Sequence, residues 1–416
     1  MQTYANSQPF RLAPLKYRLY SLTACLLGIA LPTSTALMNA ALGLVVVCLL
    51  WQRDFRLLVS LVKKPIVWLP ALMFVLLAVS LFSKHPDYGP KMLGKYGKLL
   101  YILPLALFFN ADAKLKSRFI NGFLLANMLI LAISLAVGLG HIPLGHIDPQ
   151  NPTVFKLQIT QNVFLAFATL FWLAKAVARN GTRRACYATL AVLACANIML
   201  MVQGRTGYVA LLAGSLIWMF LTFRTRHRLA ILSCGLLIAT LLVVVPNRAA
   251  QRLSQGVEEV QQCLLASAQQ AEQACNNSMG QRTSFIRESL HRIKQAPWRG
   301  NGAGGFFYSN TKTGYSINNP HNQYLLETVQ SGLLGLVIFL TWMMFCLRAA
   351  WYQPLTWRNQ LVALVGSYLA CDVFNSFLLD SAEGHLFIVL AAILAVGVKI
   401  DKKKGQFPGP CYKTKT

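Results

Sequence analysis

Long apolar runs separated by short basic clusters constrain the fold of this chain more than any other feature. A hydrocarbon core about 30 Å thick needs ~20 apolar residues per helix, and spanning helices satisfy their own backbone groups. Charged residues make up 12% of the 416 residues, about half the ~25% usual in soluble domains. Twelve apolar segments are predicted, at about 19–34, 36–51, 66–82, 97–111, 119–139, 160–178, 185–203, 207–223, 229–246, 324–347, 360–379 and 384–400. We therefore expect an all-α polytopic membrane protein with about 12 transmembrane helices and one large helical periplasmic loop.

The first two apolar segments allow more than one interpretation. Only Leu31-Pro32-Thr33 divides them, so they could form one re-entrant unit. The first could also be a signal peptide, because basic residues precede it. A second apolar segment follows at once, so we favour a retained anchor.

The distribution of lysine and arginine predicts the orientation of the chain. When the loops are assigned alternately to two sides, 25 of the 39 Lys and Arg residues fall on the side that holds both termini. The positive-inside rule makes this side cytoplasmic. We expect a multi-pass protein of the bacterial inner membrane with both termini in the cytoplasm. The net charge of +26 is explained by this orientation, and we expect no nucleic-acid partner.

The chain is divided by one long polar segment. We predict transmembrane helices 1–9 within 1–246, a periplasmic loop with a helical hairpin at 247–323, helices 10–12 within 324–400, and a cytoplasmic tail at 401–416. Within the loop, 248–275 and 282–296 are predicted to be helical. Only Cys263 and Cys275, of the ten cysteines, lie in this loop. Because the periplasm is oxidising, we predict that they form a disulfide.

Six basic residues fall in short external loops, where such residues are rare. Binding of an anionic ligand would explain them, and so would snorkelling of long side chains to the interface. They are Lys84, Lys91, Lys95, Lys98, Lys156 and Arg205.

Three further positions stand out on the same predicted face. His321 immediately precedes an apolar run, so it lies at the water–membrane boundary, where a lone histidine is more often a polar interface residue than a functional one. Arg205 occupies the tight turn Gln203-Gly204-Arg205-Thr206-Gly207, where a lipid phosphate is the plain alternative to a substrate. Arg282 and Arg287 lie on the second loop helix, and their five-residue spacing predicts that only one points inward. A solvated helix face is the alternative for both.

Standard enzyme motifs are absent from the sequence. We find no P-loop, nucleophile elbow or zinc-protease motif, and no paired-carboxylate cluster on the external side. We expect no metal and no cofactor.

The residues His321 and Asn322, followed after nine residues by Gly332 and after two more by Gly335, resemble a signature of bacterial O-antigen ligases. These enzymes share a superfamily with O-antigen polymerases and protein O-oligosaccharyltransferases. The turn that carries Arg205 is similar to one arginine site of the family, and Gly280-Gln281-Arg282 is similar to the second. We expect the two glycines to let a neighbouring helix approach closely.

The resemblance implies transfer of O-antigen polysaccharide from undecaprenyl diphosphate to the lipid A–core oligosaccharide at the periplasmic face. It implies His321 as general base or acceptor-orienting group, with the two arginines on the diphosphate. Transfer is expected to be direct, inverting and metal-independent. Membrane lipids and the two lipid-linked glycans are the expected partners. We also assign substrate binding to five further residues: Asn322, Arg287, Lys91, Lys95 and Lys98. The three lysines match no motif of the family.

Other activities remain open from the sequence. A polymerase would use the same donor but tends to divide its periplasmic mass between two large loops, whereas 247–323 holds nearly all of it here. A protein O-oligosaccharyltransferase is usually longer. A lipid-linked glycan transporter would need polar residues near mid-membrane, for which Asp372 and Asn375 are the only indication.

Overall fold

A computed structural model of the chain provides the structure. It describes residues 13–53, 57–81, 88–145, 147–225, 227–229, 233, 248–267, 270–309, 314 and 316–397. The predicted ninth span, 229–246, lies outside the described residues apart from 229 and 233, and so does the predicted tail, 401–416.

The described chain is mostly helical with almost no strand, which confirms the all-α expectation. Before the large loop the helices are α1 Pro14–Thr33, α2 Thr35–Gln52, α3 Leu58–Val62, α4 Pro65–Ser80, α5 Gly89–Tyr96, α6 Ile102–Asn110, α7 Lys114–Gly138, α8 Gln158–Val177, α9 Gly181–Ala196 and α10 Arg205–Thr222. A 3₁₀ turn, Gly97–Tyr101, joins α5 to α6. The remaining helices are α11 Arg248–Leu265, α12 Ala271–Ala274, α13 Ser278–Gln295, α14 Gln323–Trp351, α15 Leu355–Cys371 and α16 Ser381–Val396.

Most of the predicted apolar segments overlap these helices where the structure describes them. The segment predicted at 360–379 is an exception, because its helix ends at Cys371 and the remaining residues form a non-helical connection. Seven of the described helical runs are long and apolar enough to cross a membrane. The helices α4 and α16 are apolar but shorter. The chain is therefore a polytopic membrane protein, as its sequence predicts.

The apolar helices pack around a shared aromatic core. The helix α1 packs on α2 and α7, α10 packs between α8 and α15, and α14 packs between α4 and α15. The ring of Phe387 on α16 stacks 4.2 Å from Tyr368 on α15 and lies 5.4 Å edge-on to Trp342 on α14. These contacts fix the three C-terminal helices relative to one another.

The large loop forms a hairpin whose first arm is shorter than predicted. The single helix expected over 248–275 ends at Leu265, and only the short α12 follows. A disulfide joins Cys263 to Cys275, whose Cα atoms are 4.6 Å apart. Twelve residues of continuous helix would separate them by about 18 Å, so the covalent bridge requires the chain to reverse. The second arm, α13, packs on both α11 and α14, and a short antiparallel pair follows, β1 Tyr308–Ser309 and β2 Ser316–Ile317.

The helix α14 is broken at Gly332, where the backbone is left-handed (φ +66°). The expectation that a neighbouring helix approaches this glycine is wrong. The backbone of Trp298 and Arg299, in the loop after α13, occupies the space that a Cβ atom on Gly332 would need. The amide of Leu333 donates to the carbonyl of Pro297 at 2.8 Å. The close approach is therefore made by the large loop, which satisfies backbone groups freed at the break.

Candidate active site

Arg205 is held at the start of α10 by a turn that packs directly on α8. The side-chain amide of Asn162 donates to the carbonyl oxygens of Val202 at 3.1 Å and of Gly204 at 3.4 Å. A Cβ atom on Gly204 would lie 2.8 Å from the carbonyl oxygen of Gln158, a separation too short for any side chain. The glycine and the asparagine together bring the Arg205 backbone against α8.

Arg282 reaches the same region from α13. Asn277 caps this helix, because its side-chain oxygen accepts a hydrogen bond from the Gly280 amide at 2.7 Å. The helix consequently begins before Gly280, slightly earlier than predicted. Arg282 is half-buried, and its Nη1 lies 3.8 Å from the sulfur of Met279. Arg287, on the same helix, is exposed.

The two arginines line one cavity of about 180 Å³, which we call the arginine cavity. Burial, followed by the positive charge of Arg205, lowers the pKa of Arg282. Two guanidinium groups that act on each other across a cavity favour an anion between them. The lining residues are Gln158, Ile159, Gln203, Arg205, Thr206, Ser278 and Arg282.

One carboxylate lies beside this pair. The Oε2 atom of Glu259, on α11, is 3.8 Å from Nη1 of Arg205 and accepts a hydrogen bond from the Met279 amide at 2.9 Å. Glu259 therefore ties the two arms of the hairpin to the start of α10. In the part of the chain that the structure describes, Arg282 forms no ion pair, so the cavity keeps a net positive charge.

His321 lies in a strained turn immediately before α14. Its backbone is left-handed (φ +52°), and its amide donates to the side-chain oxygen of Asn319 at 2.9 Å. Its ring packs against Phe285 of α13, with the ring centroids 6.0 Å apart. Burial, followed by the charge of Arg282, lowers the pKa of His321 to about 4, and a hydrogen bond with the side chain of Asn375, which favours the protonated ring, opposes this shift. Because its pKa is so low, the imidazole is neutral at physiological pH and can accept a proton.

The connection between α15 and α16 completes the site. Asn375 donates from its side-chain amide to the hydroxyl of Thr206 at 3.4 Å and also contacts His321. The hydroxyl of Ser376 donates to the side chain of Asn319 at 2.7 Å, which holds the histidine turn. Asn375 is 2% exposed. Asn375 therefore connects His321 to Thr206, the residue that follows Arg205.

Asp372 lies at the start of the same connection and is fully buried. Burial raises its pKa well above the usual value of a carboxyl group, while the backbone of Phe377 opposes the shift. Asp372 and Asn375 were not expected at the site. Their only signal in the sequence is that they are polar residues within a predicted apolar segment, 360–379.

The other predicted substrate-binding residues do not line the arginine cavity. Asn322 uses its side chain to cap α14, accepting from the Leu325 amide at 2.9 Å. Lys91 and Lys95 are exposed on α5. Lys98 is buried, and its amino group donates to two backbone carbonyl oxygens in the connection between α15 and α16. No group of three or more His, Cys, Asp or Glu side chains in the described chain is placed to hold a metal ion.

Comparison with protein families identifies the segment that carries this geometry. Residues 190–340 match the family described as O-Antigen ligase. This match supports membership of the O-antigen ligase superfamily. The matched segment includes Arg205, Arg282 and His321, and the family assignment supports a glycosyl-transfer role in O-antigen processing. No curated protein matches the chain.

Proposed function

We propose that the protein is an O-antigen ligase, which transfers a polysaccharide from undecaprenyl diphosphate to the lipid A–core oligosaccharide. The observation that carries this proposal is the placement of Arg205 and Arg282 on one cationic cavity, with a neutral His321 packed beside the helix of Arg282. The arrangement provides sites for an anionic leaving group and for the proton of an acceptor hydroxyl.

The two arginines would bind the diphosphate of the donor. As the bond between the sugar C1 and the phosphate oxygen breaks, negative charge grows on that oxygen. Fixed guanidinium groups stabilise this charge more in the transition state than in the ground state. The planar fork of arginine also meets phosphate oxygens in pairs. Arg282 is the stronger candidate for this role, because Glu259 shares part of the charge of Arg205.

His321 would accept the proton of the acceptor hydroxyl. The hydroxyl oxygen forms its bond to C1 while the phosphate oxygen leaves from the opposite face, so the transfer inverts the anomeric centre. An imidazole with a pKa near 4 is a weak base, and it takes the proton only as the new bond makes the hydroxyl acidic. A diphosphate bound at Arg282 would offset the charge that lowers this pKa, so donor binding would strengthen the base.

Asn375 would orient the histidine ring for this step. Its amide contacts both the ring and the Thr206 hydroxyl, so the ring and the arginine turn share one support. Asn322 and Lys98 would act indirectly. Their side chains donate hydrogen bonds to backbone carbonyl oxygens of the connection between α15 and α16, at Val373 and at Asp380.

The orientation follows from the distribution of basic residues in the sequence. We place both termini in the cytoplasm, and the arginine cavity and the large loop at the periplasmic face of the inner membrane. Both lipid-linked glycans would reach the cavity from that leaflet.

Complementation of a Gram-negative strain that lacks its O-antigen ligase tests this function. Donor and core are matched to the native host, and expression in the membrane is verified. Wild type should restore the lipopolysaccharide ladder on a gel, whereas His321→Ala and Arg282→Ala should not. Failure of wild type would reject the ligase assignment. Longer glycan chains that stay on the donor lipid would then indicate a polymerase.

A further inference from the structure

A second cavity, distinct from the arginine cavity, lies between α7, α8, α15 and α16. Its volume is about 210 Å³, larger than the ~150 Å³ of an apolar cavity that binds benzene. Its wall is largely aromatic and aliphatic, and Phe171 packs edge-on to Trp357 within it. We call it the aromatic cavity. Its principal lining residues are Lys116, Phe123, Phe171, Trp357, Tyr368 and Phe387.

The aromatic cavity is elongated along the helices. On α15 it is lined from Trp357 to Tyr368, and along α7 from its N-cap residue Ala113 to Phe123. At 1.5 Å rise per residue these stretches are about 16 Å long. This length is close to half of a ~30 Å hydrocarbon core. An acyl chain that crosses one leaflet therefore matches the cavity in length and in polarity.

Two lysines lie together at one end of the aromatic cavity. Lys116 lines the cavity and interacts electrostatically with Lys64. The amino group of Lys64 donates to the Ala395 carbonyl at 2.6 Å, two residues beyond Ile393 of the cavity wall. Within the described residues, neither lysine forms an ion pair. An anion placed between these two cations, at the end of the apolar cavity, would offset their repulsion.

We propose that the aromatic cavity binds an anionic phospholipid from the surrounding leaflet. One acyl chain lies between α7 and α15, and the phosphate of the headgroup contacts Lys116 and Lys64. The ligand completes the packing of four helices and neutralises the lysine pair. This site is independent of the glycan-transfer function, because it shares no lining residue with the arginine cavity.

Native mass spectrometry of the full-length protein in detergent tests the site. Purified protein is titrated with palmitoyl-oleoyl phosphatidylglycerol or with phosphatidylcholine of the same acyl chains, and the bound lipid and the thermal midpoint are measured. We expect one phosphatidylglycerol to be retained at collision energies that remove phosphatidylcholine, with a thermal shift several-fold larger. Lys116→Gln should reduce that retention at least five-fold, and Lys116→Arg should preserve it.

Two variants separate the charge from the cavity. Lys114→Gln removes an exposed lysine two residues away on the same helix and should leave retention unchanged. Ala113→Trp adds bulk at the lysine end of the cavity and should lower retention of both lipids. Equal binding of the two lipids by wild type would overturn the proposal. So would unchanged retention by Lys116→Gln, or displacement of phosphatidylglycerol by an equimolar amount of undecaprenyl phosphate.

Discussion

Arg282→Gln should lower the turnover number of glycan transfer by about 10²–10³-fold while leaving the fold intact. A guanidinium about 3 Å from a phosphate oxygen contributes roughly 5 kcal/mol at an effective dielectric constant of 20. Loss of one such fixed donor to a developing anion costs about 2.7–4 kcal/mol in measured systems. Stability should change little, because within the described residues the side chain of Arg282 makes just one polar contact, with the Met279 sulfur at 3.8 Å. Burial and the charge of Arg205 also lower its pKa, so its charge is not favoured by the fold.

The assay is transfer by purified enzyme from lipid-linked donor to lipid A–core acceptor, measured over a range of donor concentrations. Arg287→Gln is the matched control, since it removes the same charge from an exposed position of α13 and should stay within about two-fold of wild type. Arg282→Lys keeps the charge but loses the planar guanidinium group, so its turnover number should lie between those of Arg282→Gln and Arg287→Gln. A folded Arg282→Gln enzyme with a turnover number within three-fold of wild type would refute the assignment of Arg282 to the leaving group.

Four further outcomes follow from the site and its supports. The ratio kcat/KM should be constant from pH 8 to pH 5 and fall at lower pH with a midpoint near 4, because His321 becomes protonated near its lowered pKa. A midpoint near 6.5 would contradict the burial of His321. Asn375→Ala should lower turnover by about 10–100-fold, less than His321→Ala at about 10²–10⁴-fold, and an enzyme at wild-type rate would exclude a positioning role. Serine at both Cys263 and Cys275 should destabilise the hairpin by about 3 kcal/mol, read from protease protection of the loop, because the bridge spans 12 residues. Gly332→Ala should lower the thermal midpoint, since the left-handed backbone alone costs about 1–2 kcal/mol for alanine, and an unchanged midpoint would argue against the break.

The helices could be predicted from the sequence because burial in a bilayer is a local signal. Each spanning segment must itself be apolar, so its limits are visible without knowledge of its neighbours. The helix expected over 248–275 was wrong because the reversal depends on a covalent bond between two positions of the chain. The close approach at Gly332 was also misassigned, since its partner is the backbone of Trp298 in a loop rather than an apolar helix.

The arginines and the histidine were accessible from the sequence for a different reason. Charged or polar residues stood out where the chain was otherwise apolar, and their spacing resembled a family signature. Asn375 could not be assigned in this way, because its partner Thr206 lies 169 residues earlier and the bridge exists only in the folded chain. The role of Lys98 could not be predicted either. Its partners are backbone carbonyl oxygens, and because every residue has one, the sequence does not indicate which of them Lys98 binds.

From the break in α14 we expect the large loop and the membrane helices to fold as one cooperative unit. The carbonyl oxygens of Val329 and Gln330 accept hydrogen bonds from the amides of Asn301 and Gly302, at 2.7 Å and 2.9 Å. If the loop detached, these carbonyls would face the bilayer without donors, at several kcal/mol each. Amide hydrogen exchange of the loop should therefore proceed only through opening of α14 as well. The same segment expressed without its membrane helices would lack the surface on which residues 297–304 pack. We therefore expect α14 to insert into the membrane before the loop reaches its final structure.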